Sequence, residues 1–227
     1  MLVARTMLLA GSLLACACSD DSQAVAVPDT GSGSPDRAIT VDTHAKPADT
    51  GAKPADTGAP KTVFGGTRKV TLKVPSSYDG GKALPLVILL HGYGANGFWQ
   101  TTYFGYGPLS QKEGFFLASP DGTTDTSGKK YWNATDACCA FGKGPDDSTY
   151  LSKLISEIKA SYKVDPRRVF LIGHSNGGFM SYRMACDHAD QIAAIVSMAG
   201  ATWLTTSKCK PTQKVSVLQV HGDLDAT

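Results

Sequence analysis

Three short stretches carry residue types and spacings suited to nucleophilic chemistry. The first is GHSNG, residues 173–177, which breaks an apolar run and is followed at once by a new apolar pattern. This spacing predicts a serine on a sharp bend between a strand and a helix, the context in which a Gly-x-Ser-x-Gly pentapeptide carries meaning. Gly173 and Gly177 would let strand and helix approach closely, and Ser175 would sit where helix N-terminal N–H groups favour developing negative charge. The second is HGYG, residues 91–94, at the end of an earlier apolar run. A tetrahedral acyl-transfer intermediate needs two donors on its oxyanion. The N–H of Asn176, just after the serine, and an N–H from this loop, assigned to Tyr93, are the candidates, each worth about 3 kcal/mol in a transition state. The third is HGDLD, residues 221–225, where Asp225, in preference to Asp223, is the candidate acid. Together these would supply the nucleophile, oxyanion donors and acid that serine acyl-transfer chemistry needs.

The elements that must position them are legible in the hydrophobic pattern. Apolar runs at 70–74, 85–90, 115–119, 169–172, 193–199 and 215–220 read as strands, several without alternation, as expected of parallel strands buried on both faces. Residues 147–162 place Leu151, Leu154, Ile155, Ile158 and Tyr162 at helical spacing, with Asp146 or Asp147 as the cap, and residues 176–188 form a second helical pattern. Val164-Asp165-Pro166 stops the first helix before the next strand. Strands alternating with helices predict one α/β domain, residues 63–227, with a mostly parallel sheet and helices on both faces.

The remainder is of different character. Arg5 precedes an apolar stretch at 7–15, far short of the ~20 residues a membrane-spanning helix needs, and this reads as an export signal, residues 1–15. LLAC, residues 13–16, resembles a bacterial lipobox and makes Cys16 the lipidation candidate ahead of Cys18, so membrane association would come from a lipid anchor alone. Residues 16–62 are rich in Ala, Pro, Asp, Thr and Gly and contain AKPADTG twice in tandem, at 45–51 and 52–58. Such a segment has no apolar face to offset chain entropy and is expected to be a disordered tether. The net charge of +2 is spread without a basic stripe, so nucleic acid is not an expected partner. An exported chain can keep disulfides. Cys186 with Cys209 is a plausible pair, whereas adjacent Cys138 and Cys139 are expected to take separate partners. No second Cys-x-x-Cys or His pair supports a metal site.

The set YWNATDACCAFG, the Asp-Asp opening a helix, VDPRRVFLIGHSNGGFMSYRMAC and HGDLDAT resembles the secreted esterase family of polyhydroxybutyrate depolymerases and bacterial feruloyl esterases, from about residue 66 to the end. The resemblance implies an α/β-hydrolase fold, Ser175 as nucleophile, Asp225 as acid, and neither metal nor organic cofactor. It also implies ester substrates such as feruloylated or acetylated plant polysaccharide or short polyhydroxyalkanoates, and it marks Trp132, Asn133, Cys138 and Cys139 as a recurring stretch near the active-site loops.

One part departs from that pattern. The family's histidine follows the acid, whereas this sequence stops at Thr227 and none of its five histidines substitutes well. His44 lies in the tether; His174 adjoins the serine and should point away; His188 is thirteen residues on, about 20 Å along a helix. His91 and His221 end strands near the site, but before the acid. The expectation is a chain whose continuation carries the histidine and the last strands. The alternative is a form lacking its base, with turnover reduced on the order of a millionfold and a sheet edge left unpaired. Tyr93, Phe98, Trp99, Tyr103 and Phe104 could line an acyl or aryl pocket or be core. Two other readings are a prolyl-oligopeptidase-type peptidase, against which the Trp-Asn…Cys-Cys stretch speaks, and an inactive surface-binding lipoprotein.

Overall fold

A computed structural model describes residues 60–139 and 143–225. The export signal, Cys16, Cys18, His44 and the tandem repeat fall outside the described residues. No helix among the described residues is long and apolar enough to cross a membrane.

The unalternating apolar runs become the inner strands of a five-stranded, all-parallel sheet. Its strands are β3 (Leu84–Leu90), β4 (Phe116–Ala118), β7 (Val164–His174), β8 (Ala194–Met198) and β9 (Ser216–Val220), ordered β4-β3-β7-β8-β9. Two short antiparallel pairs flank it: β1 (Val63–Phe64) with β2 (Val70–Thr71), and β5 (Thr123–Thr124) with β6 (Lys130–Tyr131). An antiparallel bridge from Lys73 to Leu117 joins the first pair to the edge of β4. The 70–74 run is thus mostly irregular chain, because it meets only that edge.

Alternate residues of each strand feed two cores. Leu86, Ile88, Leu90, Val169, Leu171 and Ile195 face α3 (Asp147–Ser161) and α4 (Asn176–Asp187), which supply Leu151, Leu154, Ile155, Ile158, Met180 and Met184. Val87, Leu89, Leu117 and Ile172 form the opposite face, covered by Phe104 and Tyr106 from the region of α1 (Gly97–Tyr103) and α2 (Tyr106–Glu113). Helices on both faces follow from strands that are apolar on both sides. α1 and α2 escaped the sequence reading because short helices carrying surface aromatics lack a clean apolar period.

Two boundaries moved. Asp146 is the α3 cap, its side chain accepting from the Thr149 N–H at 3.0 Å, while Asp147 lies inside the helix. Val164-Asp165-Pro166 is not a separator: it belongs to β7, where the register jumps between the pairs Leu84–Val164 and Leu86–Val169, a bulge that accommodates the proline.

Cys186 and Cys209 are bonded, with Cα atoms 5.1 Å apart, tying the end of α4 to the loop before β9. Cys138 and Cys139, expected to take separate partners, are instead bonded to each other. Cys139 has φ 71°, a left-handed turn in which the two neighbouring side chains meet.

Candidate active site

Ser175 sits between β7 and α4 with φ 51° and ψ −120°, a backbone conformation that side-chain-bearing residues rarely adopt. Neighbouring chain imposes it. The Ser175 N–H donates to the Met198 carbonyl at 2.7 Å, and its own carbonyl accepts from the Gly178 and Phe179 N–H groups. A Cβ on Gly177 would lie 2.3 Å from the Leu90 carbonyl oxygen, and one on Gly173 would lie 2.0 Å from that of Gly177. Strand and helix therefore cross closer than any larger residue allows. Ser175 is half-buried and caps α4 without any hydrogen bond from its side chain.

The HGYG loop meets the bend. A Cβ on Gly92 would stand 3.4 Å from Ser175 Cβ, which places residues 91–93 directly against the serine. Asn176 N–H, in the first turn of α4, has no intrahelical acceptor, and Tyr93 N–H donates to no protein group among the described residues. Tyr93 is held from its other end: its hydroxyl donates to Asp125 Oδ2 at 2.5 Å, and Gly94 N–H donates to the Lys130 carbonyl. The hydrogen bond from Tyr93 holds the Asp125 carboxyl well below the usual carboxylate range and raises the phenol in turn.

Trp132, fully buried, ties the two donor segments together. Its N–H donates to Asn176 Oδ1 at 2.6 Å, its carbonyl accepts from Asn176 Nδ2 at 2.9 Å, and its indole donates to the His91 carbonyl at 3.1 Å. Asn133 continues the scaffold, donating its N–H to Asp147 Oδ2 at 2.7 Å while its carbonyl accepts from Arg183. Buried Asp147 is in turn paired with Arg68 at 2.5 Å. Asp147 was read only as a cap candidate and Arg68 and Arg183 were not singled out in sequence, because the role of a charged side chain shows only once its partner is known. Cys138 touches the same scaffold, with Sγ 3.6 Å from Asn176 Nδ2.

The histidines resolve by hydrogen-bond logic. His91 is fully buried; its Nε2 accepts from the Gly122 N–H at 2.9 Å, so Nδ1 carries the proton and donates to the Gly92 carbonyl at 2.7 Å. Burial pushes its pKa down, consistent with a neutral ring. His221 is similarly engaged. Gln219 Nε2, fixed because Gln219 Oε1 accepts from Tyr182, meets Nδ1 at 3.0 Å, and Nε2 faces Asp225 Oδ2 at 3.4 Å. His174 is exposed, with its ring 6.3 Å from that of Phe104, and His188 follows the last turn of α4. No hydrogen bond joins Ser175 to a histidine among the described residues. Asp225 closes a turn after β9, its N–H donating to the Gly222 carbonyl at 3.1 Å; Asp223 lies within that turn. Among the described residues no cluster of His, Cys, Asp or Glu could hold a metal ion.

The aromatic group divides. Phe104 packs into the second core, whereas Tyr93, Phe98, Trp99 and Tyr103 are exposed.

Comparison with known proteins agrees with this architecture. Feruloyl esterase B of Piromyces equi is 33% identical over 166 residues, covering 70% of this chain and 29% of that protein. Poly(3-hydroxyalkanoate) depolymerase C of Paucimonas lemoignei is 26% identical over 126 residues, covering 52% of this chain and 28% of that protein. The chain thus spans less than a third of the length of these two relatives. The crystal structure of esterase PE8 superposes with a TM-score of 0.53 at 20% identity, covering 68% of this chain and 74% of that one, a likeness of fold. The Esterase family model matches residues 62–225, most of the sequence, and the chain belongs to that family, with an α/β-hydrolase fold.

Proposed function

We propose that the protein is an exported serine carboxylic-ester hydrolase that works through an acyl-enzyme on Ser175. The observation that carries this reading is the juxtaposition of a serine held at positive φ, its hydroxyl making no cap hydrogen bond, with two unpaired N–H groups, those of Tyr93 and Asn176. In the proposed reaction Ser175 Oγ attacks the ester carbonyl carbon and its proton passes to a histidine. The carbonyl oxygen, now negative, accepts from Tyr93 and Asn176, and the alcohol departs with the proton. Water then cleaves the Ser175 acyl ester by the same steps and releases the acid. Asp225 is proposed to orient the histidine. His91 does not fill that role, because both its ring nitrogens are committed to backbone partners. The substrates proposed are feruloyl esters or polyhydroxyalkanoate, as the names of the two relatives suggest, and acetyl esters on plant polysaccharide, as the sequence resemblance implies.

Export rests on the sequence at 1–15 and anchoring on Cys16, with 16–62 as the tether. Mass spectrometry of the mature N-terminus should find a lipidated Cys16; an unmodified N-terminus elsewhere would rule the anchor out. The catalytic reading is tested with the protein expressed from its native reading frame. Hydrolysis of p-nitrophenyl acetate and fluorophosphonate labelling should both vanish in Ser175→Ala, with turnover falling on the order of a millionfold. Activity that survives this substitution would end the proposal.

A further inference from the structure

A cleft that does not include Ser175 lies among the described residues. It has a volume of about 720 Å³ and runs between the β2 and β4 edge on one side and the α1–α2 segment on the other. That is within the range, roughly 300–1,000 Å³, of sites that enclose small-molecule ligands. Its walls carry one large ring, Phe98, which is 71% exposed and stands edge-on to the ring of Trp99, 62% exposed, at 5.5 Å between centroids. Adjacent exposed rings at the margin of a cleft form the kind of contiguous apolar patch found at ligand-binding grooves.

The polar lining has a definite sign. Asp121 is already neutralised, ion-paired with Lys130 and accepting from the Gly97 N–H at 2.8 Å. Burial alone would raise its pKa, yet these two donors bring it below the ordinary value, so it stays a satisfied carboxylate. Lys69 and Lys73 are exposed and form no ion pair among the described residues. Asn96 spends its Oδ1 on the Trp99 N–H and keeps its amide donors. Two unspent ammonium groups, amide donors, hydroxyls from Thr71 and Ser119, and a flat ring suit a ligand with hydroxyl groups, carboxylates and stackable C–H faces.

We propose that this cleft is a second, non-catalytic binding site for an acidic polysaccharide, a chain of sugar rings bearing uronate carboxylates. Phe98 stacks on a sugar face while Lys69 and Lys73 take the carboxylates. A polyester offers carbonyl acceptors but no anion to pair with the two ammonium groups. The segment 102–107 contributes Thr102, Gly105 and Gly107 to the cleft, and Phe104 to the ring packed on His174, the neighbour of Ser175. A glycan held here therefore lies against the same segment that borders the bend. That the glycan also carries the ester substrate rests on the reading of Ser175 given above; that the cleft binds it does not.

Isothermal titration with an oligogalacturonide, using the protein expressed from its native reading frame, tests the proposal. Binding is expected, weakening as salt is raised. Affinity should fall about tenfold in each of Lys69→Ala, Lys73→Ala and Phe98→Ala, the scale of one lost charge-assisted hydrogen bond or its equivalent. Ser175→Ala should bind as the parent does, and the three cleft variants should keep the parent's melting temperature and its rate on p-nitrophenyl acetate. No binding, binding indifferent to all three substitutions, or equal binding of a neutral xylo-oligosaccharide or of poly(3-hydroxybutyrate) particles would overturn the proposal. Cleft-dependent binding by a protein that does not hydrolyse the small ester would uphold the cleft while removing the reading of Ser175.

Discussion

At Asn176 one residue performs two tasks. Its N–H is left open beside Ser175, while its side-chain amide closes a two-bond ring with the backbone of Trp132. Truncation to Ala would strand a buried N–H and carbonyl, which costs about 2–4 kcal/mol from two such groups. Asn176→Ala should lower the free energy of unfolding by that amount, read as a lower urea midpoint at an unchanged m-value; a midpoint within error of the parent would show that the ring contributes nothing. His91 supplies a pH prediction. Its folded-state pKa is depressed, so below the unfolded value of about 6.5 the unfolded chain binds more protons than the folded one, and stability falls as pH falls. Between pH 6.5 and 5, ahead of carboxylate titration, this amounts to at most about 1.4 kcal/mol per pH unit. The melting temperature should decline across that window in the parent and be flatter in His91→Gln, whose side chain does not titrate.

Among the elements, the crossing of α4 over β3 and β7 sets the site. Gly177 is where helix and strand meet, and a methyl group there collides with the Leu90 carbonyl, which is backbone and has no rotamer to yield. Gly177→Ala should cost about 3 kcal/mol or more, as overpacking against a rigid neighbour does. It should also lower activity more than Gly107→Ala, where φ is not positive and the added Cβ would meet only Thr101 Cγ2 at 3.7 Å. Equal melting temperatures for the two variants would contradict the close crossing. The Cys186–Cys209 bond fixes the far end of α4, closing a loop with a sequence separation of 23. Chain entropy assigns such a closure about 3 kcal/mol, so the double Ser variant should melt well below the parent and lose most of its sensitivity to reductant.

For the molecule as a whole, the sheet is unevenly covered. β3 and β7 are packed on both faces, but every residue of β9 is exposed, with Val217 at 48% and Leu218 at 57%. Among the described residues nothing pairs with the outer edge of β9. An exposed apolar edge strand is a template for pairing with another chain. The 227-residue chain should therefore self-associate on size exclusion in a concentration-dependent way, and Leu218→Lys should reduce this without lowering the melting temperature. A monodisperse parent would show that the edge is protected.

The bend at 173–177, the parallel strands at 85–90, 169–172 and 193–199, and helices α3 and α4 were legible in the sequence because each depends on local chemistry: glycine spacing, apolar runs and periodicity. The family resemblance reached the same fold. Tertiary structure alone decided the rest, because those features depend on partners distant in the chain. The two ring nitrogens of His91 are claimed by Gly92 and by Gly122, thirty-one residues away, which turns a possible base into a structural ring. Trp132 and Asn133, recognised only as a recurring stretch, become the brace between the 91–94 loop and the start of α4 once Asn176, Asp147 and Arg183 reach them. The partner of Cys138 turned on a single left-handed residue, and the exposed ring of Phe98 on which side of α1 the sheet covers. Local sequence specifies a bend or a run; only packing specifies which hydrogen-bonding group is already spent and which stays open to a ligand.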